Sequence, residues 1–175
     1  MFIWESHIEM PSYLQDRLVK SMNVDDVNTL VTTYTDLKHF TKVDGLMEFY
    51  SNIIEKMMKD IGMFKRCKYG FEIWAQYYNN KTLGHEPHDH FYGTEIISFN
   101  HIIKPSNNKC FYFLNDNFEK NYAGKQDTGH FYVYPPWRVH GVDKVEEEDG
   151  ERLIVAGNIS LFEYITLDGN NLVNK

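Results

Sequence analysis

The sequence has few cysteines and no long apolar segment. Its 175 residues include only two cysteines, Cys67 and Cys110, and no CxxC pair. This excludes a disulfide framework and a zinc site built from cysteines. No apolar run approaches the roughly 18 residues that a membrane-spanning helix needs. The N-terminus has no basic segment followed by an apolar run, so we expect no signal peptide and a cytoplasmic protein.

Basic residues are also scarce relative to acidic ones. Lysine and arginine number 18, aspartate and glutamate number 25, and the formal net charge is −7. A protein that binds nucleic-acid phosphates or an anionic membrane needs a basic face. We therefore expect neither nucleic acid nor a membrane as a partner. A small molecule or a peptide is the expected substrate class, and the oligomeric state stays open.

The chain divides into two regions that differ in the spacing of their apolar residues. Before Gly70, apolar side chains recur at helical spacing, and the segment PSYLQDRLVKSM begins with residues that favour a helix start. After Gly70, short apolar and aromatic runs alternate with turn residues, which is typical of a β-sandwich or barrel. We predict one domain over residues 1–175. In it, a helical cover, residues 1–70, packs an apolar stripe against a β core, residues 71–166.

Three of the eight histidines lie in the segment HEPHDHFYGTE, residues 85–95. Residues two apart on a strand point to the same face, so we expect His88 and His90 to aim together. Pro87 favours an extended conformation for the residue before it. Two imidazoles on one face hold a metal ion from two points, and a third ligand must come from elsewhere. The best candidate is His140 in the segment YPPWRVH.

The spacing of these residues leaves the kind of site open. Iron(II) in oxygenases is commonly held by two histidines and one carboxylate. Here His90 stands where the aspartate of a His-x-Asp pair is usual, and Glu95 is a further candidate ligand. HEPH is not HExxH, which excludes the spacing of a zinc protease. A polar loop that binds no metal is the alternative interpretation.

The surrounding segments resemble the 2-oxoglutarate and iron(II)-dependent oxygenases, especially small bacterial and phage-type members. EIWAQYYNNKTLGHEPHDH is similar to the strand that leads into their ligand pair, and IISFNHIIKP to the serine-containing strand that follows. GHFYVYPPWRVHGV looks like the stretch with the distal histidine, and GERLIVAGNIS like the last core strand. The resemblance covers residues 71–161. It implies a double-stranded β-helix (a jelly roll, cupin-like) packed against helices, in the cytoplasm of a bacterial or phage-infected host cell.

The resemblance also assigns roles to residues. Three histidines would hold the iron: His88, His90 and His140. Arg152 would bind the distal carboxylate of 2-oxoglutarate, because a guanidinium forms two parallel hydrogen bonds with a carboxylate. Tyr78 would hydrogen-bond to the same carboxylate. Asn158 would lie on the same strand face as Arg152 and would contact the cosubstrate or the substrate. The expected pocket lining is Trp74, Gln76, Phe99, Tyr112 and Trp137.

The activity implied is hydroxylation of an unidentified substrate, coupled to the oxidative decarboxylation of 2-oxoglutarate. Two features depart from the family: His90 at the usual aspartate position, and Ile154 where Arg-x-Ser would place a serine after Arg152. The same residues fit the cupins, whose first motif has His-x-His followed by a glutamate at the position of Glu95. A cupin-type metalloenzyme without 2-oxoglutarate is therefore one alternative. A non-enzymatic β-sandwich binding module is the other.

Overall fold

The computed structural model describes residues 2–22, 31–32 and 43–164. Within these residues, two antiparallel sheets face each other as a double-stranded β-helix, and two helices pack on one of them. This confirms the predicted fold class. The last two residues of the predicted β core, 165 and 166, lie outside the described residues. No described helix is long and apolar enough to cross a bilayer.

The larger sheet has six strands. They are β1 (Trp4–His7), β2 (Val31–Thr32), β3 (Cys67–Tyr78), β5 (Glu95–Lys104), β8 (His130–Tyr134) and β10 (Arg152–Tyr164). Their order across the sheet is β1-β8-β5-β10-β3-β2. The long strand β10 lies between β3 and β5, and its register places Arg152 opposite Tyr78 and Asn158 opposite Glu72. The side chains that alternate along β10 therefore reach the barrel interior at several depths.

The smaller sheet has four strands. They are β4 (His85–His88), β6 (Phe111–Leu114), β7 (Lys120–Tyr122) and β9 (His140–Val142), in the order β4-β9-β6-β7. The space between the two sheets is filled mainly by aromatic and branched side chains. Among them are Trp74, Tyr78, Phe111, Phe113, Tyr132, Tyr134 and Ile154. This interior core forms the wall of the candidate site.

Two helices cover the outer face of the six-stranded sheet. They are α1 (Ser12–Ser21) and α2 (Leu46–Asp60). The predicted apolar stripe of α2 is buried against that sheet, where Ile54 and Met57 belong to one cluster with Ile73 and Val155. Each such side chain contributes about 1.5–3 kcal/mol by leaving water. The stripe is therefore used for packing, as its spacing predicts.

The first seventy residues are not helical throughout. The short strand β1 pairs with β8 and places Trp4 opposite Val133. Four residues with one large apolar side chain give too weak an alternation to indicate a strand from sequence. The pairing is decided instead by the free edge of β8, which β1 covers. Both cysteines, Cys67 and Cys110, are buried and free.

Candidate metal centre

Three histidine side chains converge at one end of the four-stranded sheet. β4 ends at His88, β9 begins at His140, and these residues are register partners. His90 lies two residues beyond β4, where its backbone N–H donates to the carbonyl of Pro136 at 2.8 Å. One ligand nitrogen from each ring lies within 4.8 Å of the other two. This distance suits three ligands of a single metal ion.

Backbone hydrogen bonds set the tautomers of two of these rings. His88 Nδ1 is 2.8 Å from the carbonyl oxygen of Glu86, and His140 Nδ1 is 2.9 Å from that of Arg138. A carbonyl oxygen only accepts, so each Nδ1 carries the proton and donates it. The lone pair of each ring is then on Nε2. This is the arrangement in which metal-binding histidines are commonly held by an outer hydrogen bond.

Burial favours the uncharged form of two of the three rings. It lowers the pKa of His140 to about 3, and repulsion from His88 adds to the effect. Burial, again with a contribution from His88, lowers the pKa of His90 to about 4. Both rings are therefore neutral near pH 7. Metal ions bind the neutral ring, so the site requires little proton release when a metal enters.

A set of polar side chains surrounds the triad inside the barrel. The Tyr78 hydroxyl donates to Gln76 Oε1 at 3.0 Å, and Gln76 Nε2 lies 3.5 Å from His85 Nδ1. The Tyr134 hydroxyl lies 3.4 Å from His140 Nε2. Burial raises the pKa of both tyrosines well above the ordinary value. Both hydroxyls are therefore neutral near pH 7 and able to donate a hydrogen bond.

Arg152 is buried deep in the same interior, with 1% of its surface exposed. Its guanidinium carbon lies 5.3 Å from the ring centre of Tyr78. Its terminal nitrogens Nη1 and Nη2 are both buried, and neither has a hydrogen-bond partner among the described residues. An unpaired buried cation costs several kcal/mol. Such an arginine indicates a place for an anion, most readily a carboxylate that takes both nitrogens.

Two other predicted residues also lie inside the barrel. Trp74 packs beside the triad, with its ring centre 5.5 Å from that of His90. Asn158 faces the interior as its strand position predicts, but its amide is bonded to Ser98 and Glu72. It lies six residues along β10 from Arg152, on the same strand face.

Phe99 lies on the opposite face of the sheet from the triad. It stacks with Phe131 in the core under the helices, with ring centres 5.0 Å apart. The reason is the two-residue period of β5, which turns Ser98 and Asn100 inward and Phe99 outward. Asn100 lines the cavity in its place.

Tyr112, Trp137 and Glu95 lie around the triad but do not line its cavity. Tyr112 is on the outer face of β6, opposite Gly141 in register. Trp137 is 61% exposed and lines an open groove of about 620 Å³ with Arg138. Glu95 Oε2 accepts the backbone N–H of Tyr92 at 3.1 Å, which closes the loop after His90. Among the described residues, the group that could hold a metal does not include Glu95.

Three polar side chains at the cavity were not assigned to it from the sequence. These are His85, Asn100 and Tyr134. On a regular strand, His85, three residues before His88, would face away from it. β4 is irregular between these two residues, and their ring centres lie 4.1 Å apart. Strand parity would have identified Asn100 and Tyr134, since both alternate with outward-facing core residues.

The sequence matches no protein-family model and no curated protein. The structure does match solved ones. A prolyl-4-hydroxylase from Pseudomonas putida aligns with a TM-score of 0.62 at 11% identity, over 90% of this chain and 91% of that one. A viral collagen prolyl hydroxylase from Paramecium Bursaria Chlorella virus-1, solved as a 2OG complex, aligns with a TM-score of 0.56 at 14% identity, over 89% and 95%.

A 2OG-Fe(II) oxygenase family oxidoreductase from Burkholderia pseudomallei aligns with a TM-score of 0.60 at 11% identity, over 85% of this chain and 76% of that one. The chain has the fold of the 2OG-Fe(II) oxygenases. Identities this low establish the fold and leave the reaction open. One matched structure is that of an alpha-ketoglutarate-dependent carbocyclase, SnoK, so this fold also carries reactions other than hydroxylation.

Proposed function

We propose that the protein is an Fe(II)- and 2-oxoglutarate-dependent oxygenase that hydroxylates a small molecule or a peptide. Two features inside the barrel support this proposal, the histidine triad and the unpaired Arg152. The histidine triad lies at one end of the four-stranded sheet, and Arg152, with both terminal nitrogens unpaired, is almost completely buried in the same interior. A peptide is included because one matched structure is a prolyl hydroxylase in complex with a peptide fragment.

The residues present fit both groups. Imidazole nitrogen is a good ligand for iron(II), and three histidines leave coordination positions open. A dicarboxylate would give Arg152 the partner that it lacks. When bound, iron(II) and 2-oxoglutarate would supply the activation of O₂ and the electrons for it.

The chain itself would bind, orient and exclude water. The backbone carbonyls of Glu86 and Arg138 hold two ligand rings with Nε2 toward the metal. Arg152 would hold the distal carboxylate of 2-oxoglutarate, and the Tyr78 hydroxyl would donate to that carboxylate. Trp74 and Phe111 line the cavity and keep bulk water from it. The two ligand rings are oriented before a metal binds, whereas the Tyr78 hydroxyl must exchange its bond to Gln76 for one to the carboxylate.

Release of labelled CO₂ from [1-¹⁴C]2-oxoglutarate tests the proposal. With iron(II), ascorbate and O₂, the protein is expected to decarboxylate 2-oxoglutarate slowly even without its substrate. The rate should fall to background in His140→Ala and in Arg152→Met, and it should be unchanged in Arg17→Met, an exposed arginine on α1. Absence of iron-dependent release from the wild-type protein would sink the proposal.

The size of the cavity favours a second candidate, a metalloenzyme of cupin type that does not use 2-oxoglutarate. The free space between the side chains at the triad is about 10 Å³, which is room for about one water molecule. A metal ion and a small ligand fill it without rearrangement, whereas a five-carbon diacid requires side chains to move. In that case Glu95 would leave Tyr92 to become a fourth ligand, and Arg152→Met would keep full activity.

A further inference from the structure

Three hydrogen-bonded side chains line the inner wall of the barrel beside the triad. Asn158 of β10 is the register partner of both Glu72 on β3 and Ser98 on β5. Ser98 Oγ lies 2.8 Å from Asn158 Oδ1, and Asn158 Nδ2 lies 3.1 Å from Glu72 Oε1. Ser98 and Asn158 are buried, with 1% and 3% of their surfaces exposed. We call these three residues the Glu72 network.

The chemistry of Glu72 fixes the direction of each bond. A carboxylate only accepts, so the Asn158 amide nitrogen must face it and donate. The amide oxygen then faces Ser98 and accepts its hydroxyl proton. Two bonds therefore hold Asn158, and Asn158 holds one oxygen of Glu72. No other described residue bonds to that carboxylate or forms an ion pair with it. Its charge is held in place without a cationic partner among the described residues.

The Glu72 network lies at the open end of the barrel. Inward-facing residues of β3 and β10 run from Tyr78 and Arg152, which are fully buried, to Glu72 and Ser160, which are partly exposed. The interior is thus closed at the end of Arg152 and reaches solvent at the end of Glu72. The Glu72 carboxylate is therefore within reach of solvent at this end.

The network is connected to the triad through Trp74 and Tyr134. Trp74 follows Glu72 by two residues on the same strand face, which is about 7 Å along a strand. Its ring centre lies 5.5 Å from that of His90. Ser98 is the register partner of Tyr134, whose hydroxyl lies 3.4 Å from His140 Nε2. A group bound at Glu72 is therefore held within the length of a small molecule from the metal position.

We propose that Glu72 selects substrates that carry a positively charged nitrogen group, an ammonium or a guanidinium, and orients that group at the mouth of the barrel. The inference rests on the proposed function, because it assigns the residue to the substrate of that reaction. A fixed, partly buried carboxylate gains most from a cation, since a charge-assisted bond is about twice as strong as a neutral one. Asn158 and Ser98 are positioning residues that act through Glu72.

Calorimetric titration of the iron(II)- and 2-oxoglutarate-loaded protein, without O₂, tests the proposal. The cationic probes are L-arginine, L-lysine and their N-acetyl amides. L-Citrulline and L-norleucine, in the same two forms, match their shapes without the charge. At least one cationic probe is expected to bind ten-fold or more tightly than its neutral counterpart. Equal affinity within every pair, or no binding of any cationic probe, overturns the proposal.

Two variants test whether the preference for a cation depends on the charge of Glu72. Glu72→Gln keeps an oxygen to accept from Asn158 and removes the charge, so the ten-fold preference should disappear while iron and 2-oxoglutarate still bind. Glu163→Gln removes a charge from the same sheet, where Glu163 pairs with Lys68, and should keep the preference. A preference that survives in Glu72→Gln contradicts the assignment.

The titrations also distinguish failure of the proposed function from failure of the assignment of Glu72. If the wild-type protein does not bind 2-oxoglutarate, the proposed function itself fails. If it binds 2-oxoglutarate but does not distinguish arginine from citrulline or lysine from norleucine, only the assignment of Glu72 fails.

Discussion

His88 and His140 face each other across β4 and β9, and their ring centres lie 4.5 Å apart. Each ring donates its Nδ1–H to a backbone carbonyl two residues before it. The two strands therefore orient two ligand rings without help from a metal, and the backbone bond between His90 and Pro136 places the third. A site that is held in this way should lose its metal when one ring is removed, while the fold remains.

His140→Ala should abolish stoichiometric iron(II) binding, because two histidines provide too few protein ligands for a stable site. Equilibrium dialysis of iron(II) under anaerobic conditions measures the loss. His7→Ala is the matched control, since His7 is a half-exposed histidine outside the triad. Far-ultraviolet circular dichroism should show intact β structure in both variants. Iron binding that survives unchanged in His140→Ala would show that the ligand set is wrong.

Arg152→Met should have opposite effects on ligand binding and on stability. Losing two charge-assisted hydrogen bonds should weaken 2-oxoglutarate binding by about 100-fold and leave iron binding intact. Without ligand, the same change removes an unpaired buried cation and should raise the free energy of unfolding by about 1–3 kcal/mol. Urea denaturation with and without 2-oxoglutarate measures both effects. A variant that is less stable than the wild type in the absence of ligand would mean that Arg152 has an internal partner.

Gly141→Ala should weaken iron binding about ten-fold. A Cβ at this position would lie 2.6 Å from the Tyr112 hydroxyl and 2.9 Å from the carbonyl oxygen of His85. Both distances are too short, so β9 must shift and carry His140 with it. Gly124→Ala is the matched control, because no atom lies within 4 Å of its added Cβ. Competition of iron(II) against a calibrated chelator compares the two variants. Equal affinities would mean that the triad tolerates a shift of β9.

Acid should destabilise the protein through His101. This ring is fully buried, donates Nε2–H to the carbonyl of Ile8 and accepts the Tyr50 hydroxyl at Nδ1. Burial lowers its pKa to about 4. Because the unfolded chain takes up this proton near pH 6.5 and the folded chain does not, stability falls as the pH drops from 6.5 to 4. His101 alone contributes up to about 1.4 kcal/mol per pH unit to the slope of the free energy of unfolding against pH.

The variant His101→Gln isolates that contribution. Urea midpoints measured across this pH range should change less steeply in the variant than in the wild type, whatever its stability at pH 7. His85, His90 and His140 also have lowered pKa values and contribute to the remaining slope. An unchanged slope in His101→Gln would mean that His101 is not the titrating group.

The sequence was sufficient to predict the apolar stripe of α2, because helical spacing is a local feature. The helical stripe that contains Ile54 and Met57 packs against the sheet as its spacing indicates. The convergence of His88 with His140 is different, since 51 residues lie between them and only the pairing of β4 with β9 brings them together. The resemblance to a family predicted that convergence, and periodicity alone did not.

The errors in the predicted pocket came from strand parity and from exposure. Phe99 was expected in the pocket because it is aromatic, although Asn158 pairs with Ser98, which places the even-numbered residues of β5 inside. Trp137 lies in a loop, three residues before His140. No periodic pattern in the sequence determines where a loop side chain points. Which face of a strand is buried depends on its neighbours in the sheet. A single sequence read segment by segment does not contain that information.

Anaerobic titration of the iron(II)-loaded protein with 2-oxoglutarate tests the central claim most directly. The measurement follows the weak visible charge-transfer band of a 2-oxoglutarate chelate on iron(II). We predict a saturable band at one 2-oxoglutarate per iron, with its midpoint shifted about 100-fold in Arg152→Met. Stoichiometric iron binding with no band at any 2-oxoglutarate concentration would contradict the oxygenase account and favour a metalloenzyme that does not use this cosubstrate.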